Sequence, residues 1–262
     1  MKRIKFARIT SKTYFVCIIL ATVITFVVIA TCIDKGLFVV ARVSEKDVLL
    51  IDPGHGGFDG GAESFSGIPE KDINLNIALK LRDIAIKDGW QVVMTREEDV
   101  SLEGDTKGSI RSRKTADITA RRQLIRDTEP ELTVSIHLNS FKEDRSVRGA
   151  QVFYPEIISE DENNPALKSK VIAETVQKSL VETLNDGTDR KAMEKSGVGI
   201  LRDCLTPIIL VECGFLSNND DLYLLKNDEY QYKFANAVYS GIMISFGKTG
   251  ENVERLRIID SL

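Results

Sequence analysis

The feature that most constrains the fold of this chain is a regular alternation of short apolar runs with longer amphipathic segments, beginning at Val48. The short runs are typical of buried β-strands, and the longer segments repeat apolar residues at helical spacing. The predicted strands are Val48–Ile51, Gln91–Met94, Leu132–Ile136, Ala150–Tyr154, a short edge strand at Gly199–Leu201, and Pro207–Val211; the predicted helices are Asp72–Lys87, Arg113–Asp127, Leu167–Leu184 and Glu229–Phe246. This order predicts an α/β fold with a mostly parallel, twisted sheet of about six strands and helices on both faces.

The first 33 residues predict a segment directed to a membrane. Five cations and no acid precede residue 13, and residues 13–33 carry no charged side chain. A stretch of about 20 apolar residues spans a bilayer core, and the flanking cations remain cytoplasmic. Two alternatives stay open, an uncleaved transmembrane signal-anchor and a signal peptide that is removed. Both place the rest of the chain outside the cytoplasm.

Composition then divides the chain into regions and excludes one class of partner. We expect a basic cytoplasmic region at 1–12, the membrane segment at 13–33, a tether at 34–46, a single folded domain at 47–248 and a C-terminal tail at 249–262. After residue 12, 30 Lys and Arg stand against 39 Asp and Glu, so this part carries a net charge of −9. An acidic domain is not expected to bind nucleic acid through a basic surface.

Four polar residues follow predicted strands or open a predicted helix. The chain contains only two histidines, His55 after the first strand and His137 after the third, while Glu212 follows the strand Pro207–Val211 and Glu70 lies where a Gly-rich loop enters the first helix. Reactive groups of parallel sheets gather at the carboxyl ends of the strands. Two His and one Glu leave one position of tetrahedral zinc open for chemistry, and a second Glu is suited to carry a proton. The alternatives are structural histidines, a helix cap and an acid that favours the helix dipole.

Two common site patterns are absent. No His-Glu-x-x-His helix is present, and the glycines between Gly54 and Gly61 match neither the phosphate-loop nor the dinucleotide pattern. We expect these glycines to let the backbone pass close to a metal or a substrate. Cys204 and Cys213 flank a predicted core strand, and free buried thiols are favoured there over a disulfide.

Four blocks surround the candidate site residues, namely Asp52–Gly57 (DPGHGG), Glu70–Leu75 (EKDINL), Ser135–Asn139 (SIHLN) and Val211–Asn218 (VECGFLSN). In this order they resemble the motifs of the zinc-dependent N-acetylmuramoyl-L-alanine amidases of the Amidase_3 family, over roughly residues 48–246. The resemblance implies one Zn²⁺ bound by His55, Glu70 and His137, with Glu212 as the catalytic acid/base. It also implies hydrolysis of the amide between the muramic acid lactyl group and L-alanine of the peptidoglycan stem peptide, and makes 47–248 the zinc amidase catalytic domain.

The chain's size, its N-terminal segment and the block Arg111–Asp117 resemble the germination-specific, CwlD-type subgroup of this family. That resemblance implies a role in spore-cortex peptidoglycan, in the space between the forespore and mother-cell membranes. It also implies a muramic acid deacetylase that acts downstream to form muramic-δ-lactam, and an accessory lipoprotein is a further expected partner.

Several alternatives remain open at this point. A catalytically inactive peptidoglycan-binding or scaffold protein on the same fold is the main rival, and a zinc deacetylase or peptidase is a third interpretation. Two interpretations apply to three arginines of the second predicted helix, Arg113, Arg121 and Arg122. They contact stem-peptide carboxylates or they form a solvated helix face, and the solvated face is favoured. Asn139 and Ser140 line the substrate cleft or end a strand as turn residues. Trp90 is expected in the core.

Overall fold

A computed structural model describes residues 47–103 and 107–248 of the 262-residue chain. The chain divides into two units, Met1–Glu45 and Lys46–Leu262, and the described residues belong to the second. The predicted membrane segment 13–33, the tether and the tail lie outside the described residues. Within the described part, no helix has the length and apolar character that a membrane crossing requires.

The strands and helices alternate as predicted. The strands are β1 (Val48–Pro53), β2 (Gln91–Met94), β3 (Leu132–Asn139), β4 (Gln151–Pro155), β5 (Met193–Lys195) and β6 (Ile208–Phe215). The helices are α1 (Glu70–Lys87), α2 (Ile110–Thr128), α3 (Pro165–Leu184), α4 (Asn219–Leu225) and α5 (Asp228–Ser245). The short helix α4 was not predicted; Asn218 caps its first turn by accepting from the backbone N–H groups of Asp220 and Asp221.

The six strands form one sheet in the order β2-β1-β3-β6-β4-β5. All neighbours are parallel except β4 and β6, which run antiparallel, so the predicted mostly parallel sheet is confirmed. The predicted edge strand at Gly199–Leu201 is wrong, because these residues form a 3-10 helix. Its Ile200 and Leu201 are buried, and an apolar run of three residues is too short for periodicity to distinguish the two structures.

Alternate side chains of each central strand point into two separate cores. Leu49 and Ile51 of β1 pack with α1, α3 and α5 on one face, whereas Leu50 packs with α2 and the 3-10 helix on the other. Helices therefore cover both faces, as predicted, and most of the apolar surface is removed from water. Trp90 is buried in the larger core as expected, and Cys204 and Cys213 are free thiols.

Candidate active site

The central strands β1, β3 and β6 bring the predicted site residues to one edge of the sheet. His137 of β3 and Glu212 of β6 are direct partners in the parallel register. Both strands run past the predicted ends, so these two residues lie inside strands and not after them. Residues at equivalent positions of parallel strands share a face. His137 and Glu212 therefore share the α2 side of the sheet, where Leu210 also lies.

His55, Glu70 and His137 converge on one point, and their ligand atoms all lie within 4.8 Å of one another. Glu70 Oε1 is 3.2 Å from His55 Nε2 and 3.0 Å from His137 Nδ1. The two imidazole rings meet edge to face, with centroids 4.9 Å apart. The structure thus brings together the three residues that the sequence suggested as metal ligands.

Glu70 is held in place by several donors. Its position at the start of α1 buries the side chain, which is 3% exposed. The backbone N–H of Leu138 donates to Oε1 at 3.0 Å, that of Ala62 donates to Oε2 at 2.8 Å, and Asn74 Nδ2 donates to Oε1 at 3.2 Å. Burial alone would raise the pKa of Glu70, but hydrogen bonds from His137 and His55 lower it well below its ordinary value.

Asp59 is a site residue that the sequence analysis missed. Its Oδ2 lies 2.9 Å from His55 Nδ1, and its Oδ1 lies 2.7 Å from Lys114 Nζ. A carboxylate on the outer nitrogen of a metal-binding histidine orients the ring and makes it a better ligand. The only sequence signal was an acid four residues after His55 in the Gly-rich loop, which also matches an ordinary turn residue.

The two carboxylates also affect the proton on His55. Burial alone would lower the pKa of His55, but its hydrogen bonds to Asp59 and Glu70 raise it to about 9. A metal binds only the neutral imidazole, so metal binding at His55 is coupled to the loss of any proton that its ring carries.

The geometry of this group fits zinc. Ligand atoms about 2.0 Å from a tetrahedral zinc lie about 3.3 Å from one another. The two His–Glu separations of 3.0 and 3.2 Å are close to that value. The donors, two imidazoles and one carboxylate, are those of catalytic zinc sites that leave one position open. All three ligand atoms lie within 4.8 Å of one another, so His55, Glu70 and His137 could hold a metal ion.

Glu212 differs from Glu70 in its surroundings. It is 9% exposed, and its Oε2 is buried with no hydrogen-bond partner among the described residues. Lys195 of β5 forms an ion pair with it, with Nζ 3.7 Å from Oε1. Burial raises the pKa of the Glu212 carboxyl, which brings it closer to the range where a proton carrier works at neutral pH.

A cleft lined by His55 and His137 opens beside the candidate metal ligands. Its lining also includes Lys114 and Ile118 of α2, Val198, and Gly199 at the start of the 3-10 helix. Its place beside these two histidines makes it a candidate substrate cleft.

Three of the five arginines of α2, the ones considered in the sequence analysis, have different surroundings. Arg121 is 3% exposed and forms ion pairs with Asp52 and Asp117, so it does not lie on a solvated face, and it is one of the residues that line the cleft. The sequence could not show this burial, because α2 has few apolar residues that would mark its inner face. Arg122 pairs with Asp203 at the surface, and Arg113 stacks over the ring of Phe58.

Comparison with known proteins gives a consistent result. Residues 49–243 match the family described as N-acetylmuramoyl-L-alanine amidase, Amidase_3. The chain is 38% identical over 208 residues to the germination-specific N-acetylmuramoyl-L-alanine amidase of Bacillus subtilis, which covers 79% of this chain and 83% of that protein. Among solved structures, it is similar to the CwlD amidase from Clostridioides difficile in complex with the GerS lipoprotein, with a TM-score of 0.71 and 35% identity over 77% of this chain and 99% of that chain.

An N-acetylmuramoyl-L-alanine amidase from Clostridium difficile 630 is 30% identical, with a TM-score of 0.64, over 79% of this chain and 100% of that chain. The family match covers most of the described residues and contains His55, Glu70, His137 and Glu212. The chain therefore belongs to the N-acetylmuramoyl-L-alanine amidase family Amidase_3.

Proposed function

We propose that this protein is a zinc-dependent N-acetylmuramoyl-L-alanine amidase that hydrolyses the amide between the muramic acid lactyl group and L-alanine of the peptidoglycan stem peptide. The observation that carries the proposal is the convergence of His55, Glu70 and His137 next to the buried carboxyl of Glu212. Family membership supports the bond that is cleaved.

The side chains divide the chemistry between them. When bound by His55, Glu70 and His137, zinc supplies a Lewis acid that polarises the scissile carbonyl and lowers the pKa of water. Glu212 takes a proton from the attacking water and donates it to the amide nitrogen as the C–N bond breaks. The products are a muramic acid with a free lactyl carboxyl and a stem peptide with a free L-alanine amino group.

The relatives and the N-terminal sequence support a setting for this activity. Similarity to the germination-specific amidase of Bacillus subtilis supports a role in spore-cortex peptidoglycan, where a muramic acid deacetylase would act on the product. Similarity to a CwlD amidase solved with the GerS lipoprotein supports an accessory lipoprotein as a partner of this chain. The N-terminal segment 13–33 would place the domain outside the cytoplasm, either anchored or secreted.

The main rival is a catalytically inactive peptidoglycan-binding protein on this fold. A buried carboxyl with an unsatisfied oxygen destabilises a protein, and binding alone gives no reason to keep one beside a metal site. Glu212 therefore favours the enzyme over the scaffold.

The test uses the full-length protein in detergent, incubated with zinc and purified muropeptides, with and without the accessory lipoprotein. We expect release of stem peptides that carry a free L-alanine amino group, detected by amino-terminal labelling and mass spectrometry. His55→Ala and His137→Ala should bind no stoichiometric zinc, because the chain holds no other histidine. If the wild-type protein releases no peptide under either condition, the amidase assignment is wrong.

A further inference from the structure

We propose that two buried arginines, Arg96 and Arg121, are positioning residues for the metal ligand His55. They act through the backbone, by binding the carbonyl groups of the turn that carries the imidazole. The proposal rests on the proposed metal site and adds two residues that contact no ligand atom. We refer to Arg96 and Arg121 as the arginine pair.

The arginine pair binds three consecutive carbonyls. Arg121 donates to the oxygen of Pro53 at 2.9 Å through Nη1 and to that of His55 at 2.6 Å through Nη2. Arg96 donates to the oxygen of Pro53 at 3.0 Å through Nε and to that of Gly54 at 3.0 Å through Nη2. Every carbonyl from the end of β1 to His55 is thus bound by a guanidinium.

The turn needs such support because its backbone is strained. His55 has φ of +62°, a left-handed conformation that is uncommon for a residue with a side chain. Such conformations persist where the surroundings hold them, and they cluster at functional sites. The direction of the His55 side chain depends on this φ. If the turn relaxed to a negative φ, the imidazole would leave its place 3.2 Å from Glu70.

The arginine pair is itself fixed by contacts outside the metal site. Arg121 Nη1 lies 2.6 Å from Asp52 Oδ1 and its Nε lies 2.7 Å from Asp117 Oδ2. Arg96 also donates to the carbonyl oxygens of Lys71 and Glu98. Both arginines are 3% exposed, so bulk water cannot replace them as donors to these carbonyls.

Only arginine can make this set of contacts from one side chain. The guanidinium presents five N–H donors in a rigid plane, whereas the lysine ammonium is a compact charge on a flexible stem. A lysine at position 121 would keep a positive charge beside Asp52 and Asp117. It could not hold both carbonyls and both carboxylates in the same arrangement. Arg121→Lys therefore removes the contacts that position the turn and keeps the positive charge.

The experiment compares full-length wild-type protein with Arg121→Lys and Arg96→Lys, each prepared without metal. Zinc affinity is measured by competition with a chromophoric chelator, and the site geometry by the visible spectrum of the Co²⁺ form. We expect each variant to bind zinc about 10- to 100-fold more weakly, as is typical when the support of a metal ligand is removed. The Co²⁺ spectrum should change in the same variants.

Two controls on α2 separate positioning from general stability. Arg122→Lys changes the neighbouring arginine, which pairs with Asp203 at the surface, and should keep the wild-type zinc affinity. Ile125→Ala removes a buried side chain one turn further along, so it should lower the melting temperature and leave the zinc affinity unchanged.

The outcomes are distinct. Weaker zinc binding in Arg121→Lys and Arg96→Lys, but not in Ile125→Ala, supports the proposal. The opposite outcome is that both arginine variants keep the wild-type zinc affinity and Co²⁺ spectrum and show only a lower melting temperature. The arginine pair would then have a structural role alone, and the proposal would be overturned. If Arg121→Lys does not fold, Arg96→Lys decides between these outcomes. Wild-type protein that binds no zinc would overturn the proposed metal site as well.

Discussion

Replacing Gly54 with alanine should remove His137 from the metal site. A Cβ at position 54 would lie 2.3 Å from both Cε1 and Nε2 of the His137 ring. The backbone cannot easily yield, because the Gly54 N–H donates to the carbonyl of Ile136 and the Gly54 carbonyl accepts from Arg96. The imidazole is therefore the group that must move.

The expected loss of activity in Gly54→Ala can be judged from the close approach of this Cβ to the His137 ring. Ordinary van der Waals contact begins near 3.4 Å, so the ring must retreat by about 1 Å. Metal–ligand distances in real sites vary by only about 0.2 Å, and His137 would no longer reach a zinc held by His55 and Glu70. A displacement of about 1 Å typically costs about 100-fold in rate, and we expect at least that loss in Gly54→Ala.

The assay is peptide release from muropeptides, together with the zinc content of the purified protein. Gly60→Ala is the matched control in the same loop, because a Cβ there would approach only Pro69 Cβ, at an ordinary 3.7 Å. Gly60→Ala should keep zinc and most of the activity. Full zinc occupancy and a wild-type rate in Gly54→Ala would refute the argument that this glycine exists to admit the His137 ring.

Three further predictions concern the carboxylates. Glu212→Gln should keep zinc but lower the rate of peptide release by about 10²- to 10⁴-fold, and an unchanged rate would contradict its role as proton carrier. Asp59→Asn should weaken zinc binding by about 10- to 100-fold in chelator competition; equal affinity would show that Asp59 does not support His55. Burial alone would raise the pKa of Asp52, but Arg121 and Ser135 lower it to about 2. Because this pKa lies below the unfolded value, Asp52 contributes stability above about pH 4 that is lost as the pH falls through about 2. That contribution is on the order of 2 kcal/mol. In urea unfolding, the free energy of unfolding should therefore fall less between pH 5 and pH 2.5 in Asp52→Asn than in the wild-type protein.

The parts of the fold that could be predicted are those with strong apolar periodicity. β1 and β6 begin with continuous apolar runs and β3 alternates apolar residues with Thr133 and Ser135, and their parallel order places the residues at their carboxyl ends at one edge. This rule alone brought His137 and Glu212 to the same place. The polar edge strand β5, Met-Glu-Lys, carries no such signal, because its pairing with β4 is made by backbone groups that any sequence supplies.

The parts of the site that could not be predicted depend on contacts between distant segments. Arg121 and Asp52 are 69 positions apart, and nothing in an Arg-rich helix shows which arginine points inward. The left-handed backbone of His55 could not be predicted either, since a positive φ is uncommon for any residue other than glycine and depends here on hydrogen bonds from distant segments. Sequence patterns identify the groups that do chemistry more readily than the groups that hold them.

The two buried glutamates give the clearest division of roles within the site. Glu70 accepts hydrogen bonds from the backbone and from both histidines, and its pKa is lowered, so it remains a carboxylate suited to a metal. Glu212 lies nearby with one oxygen unpartnered, and burial raises its pKa. When the surroundings of two like titratable groups shift their pKa values in opposite directions, the two groups are suited to different roles in a site. The opposite shifts of Glu70 and Glu212 therefore agree with the geometry of the site, in which the first is suited to bind a metal and the second to carry a proton.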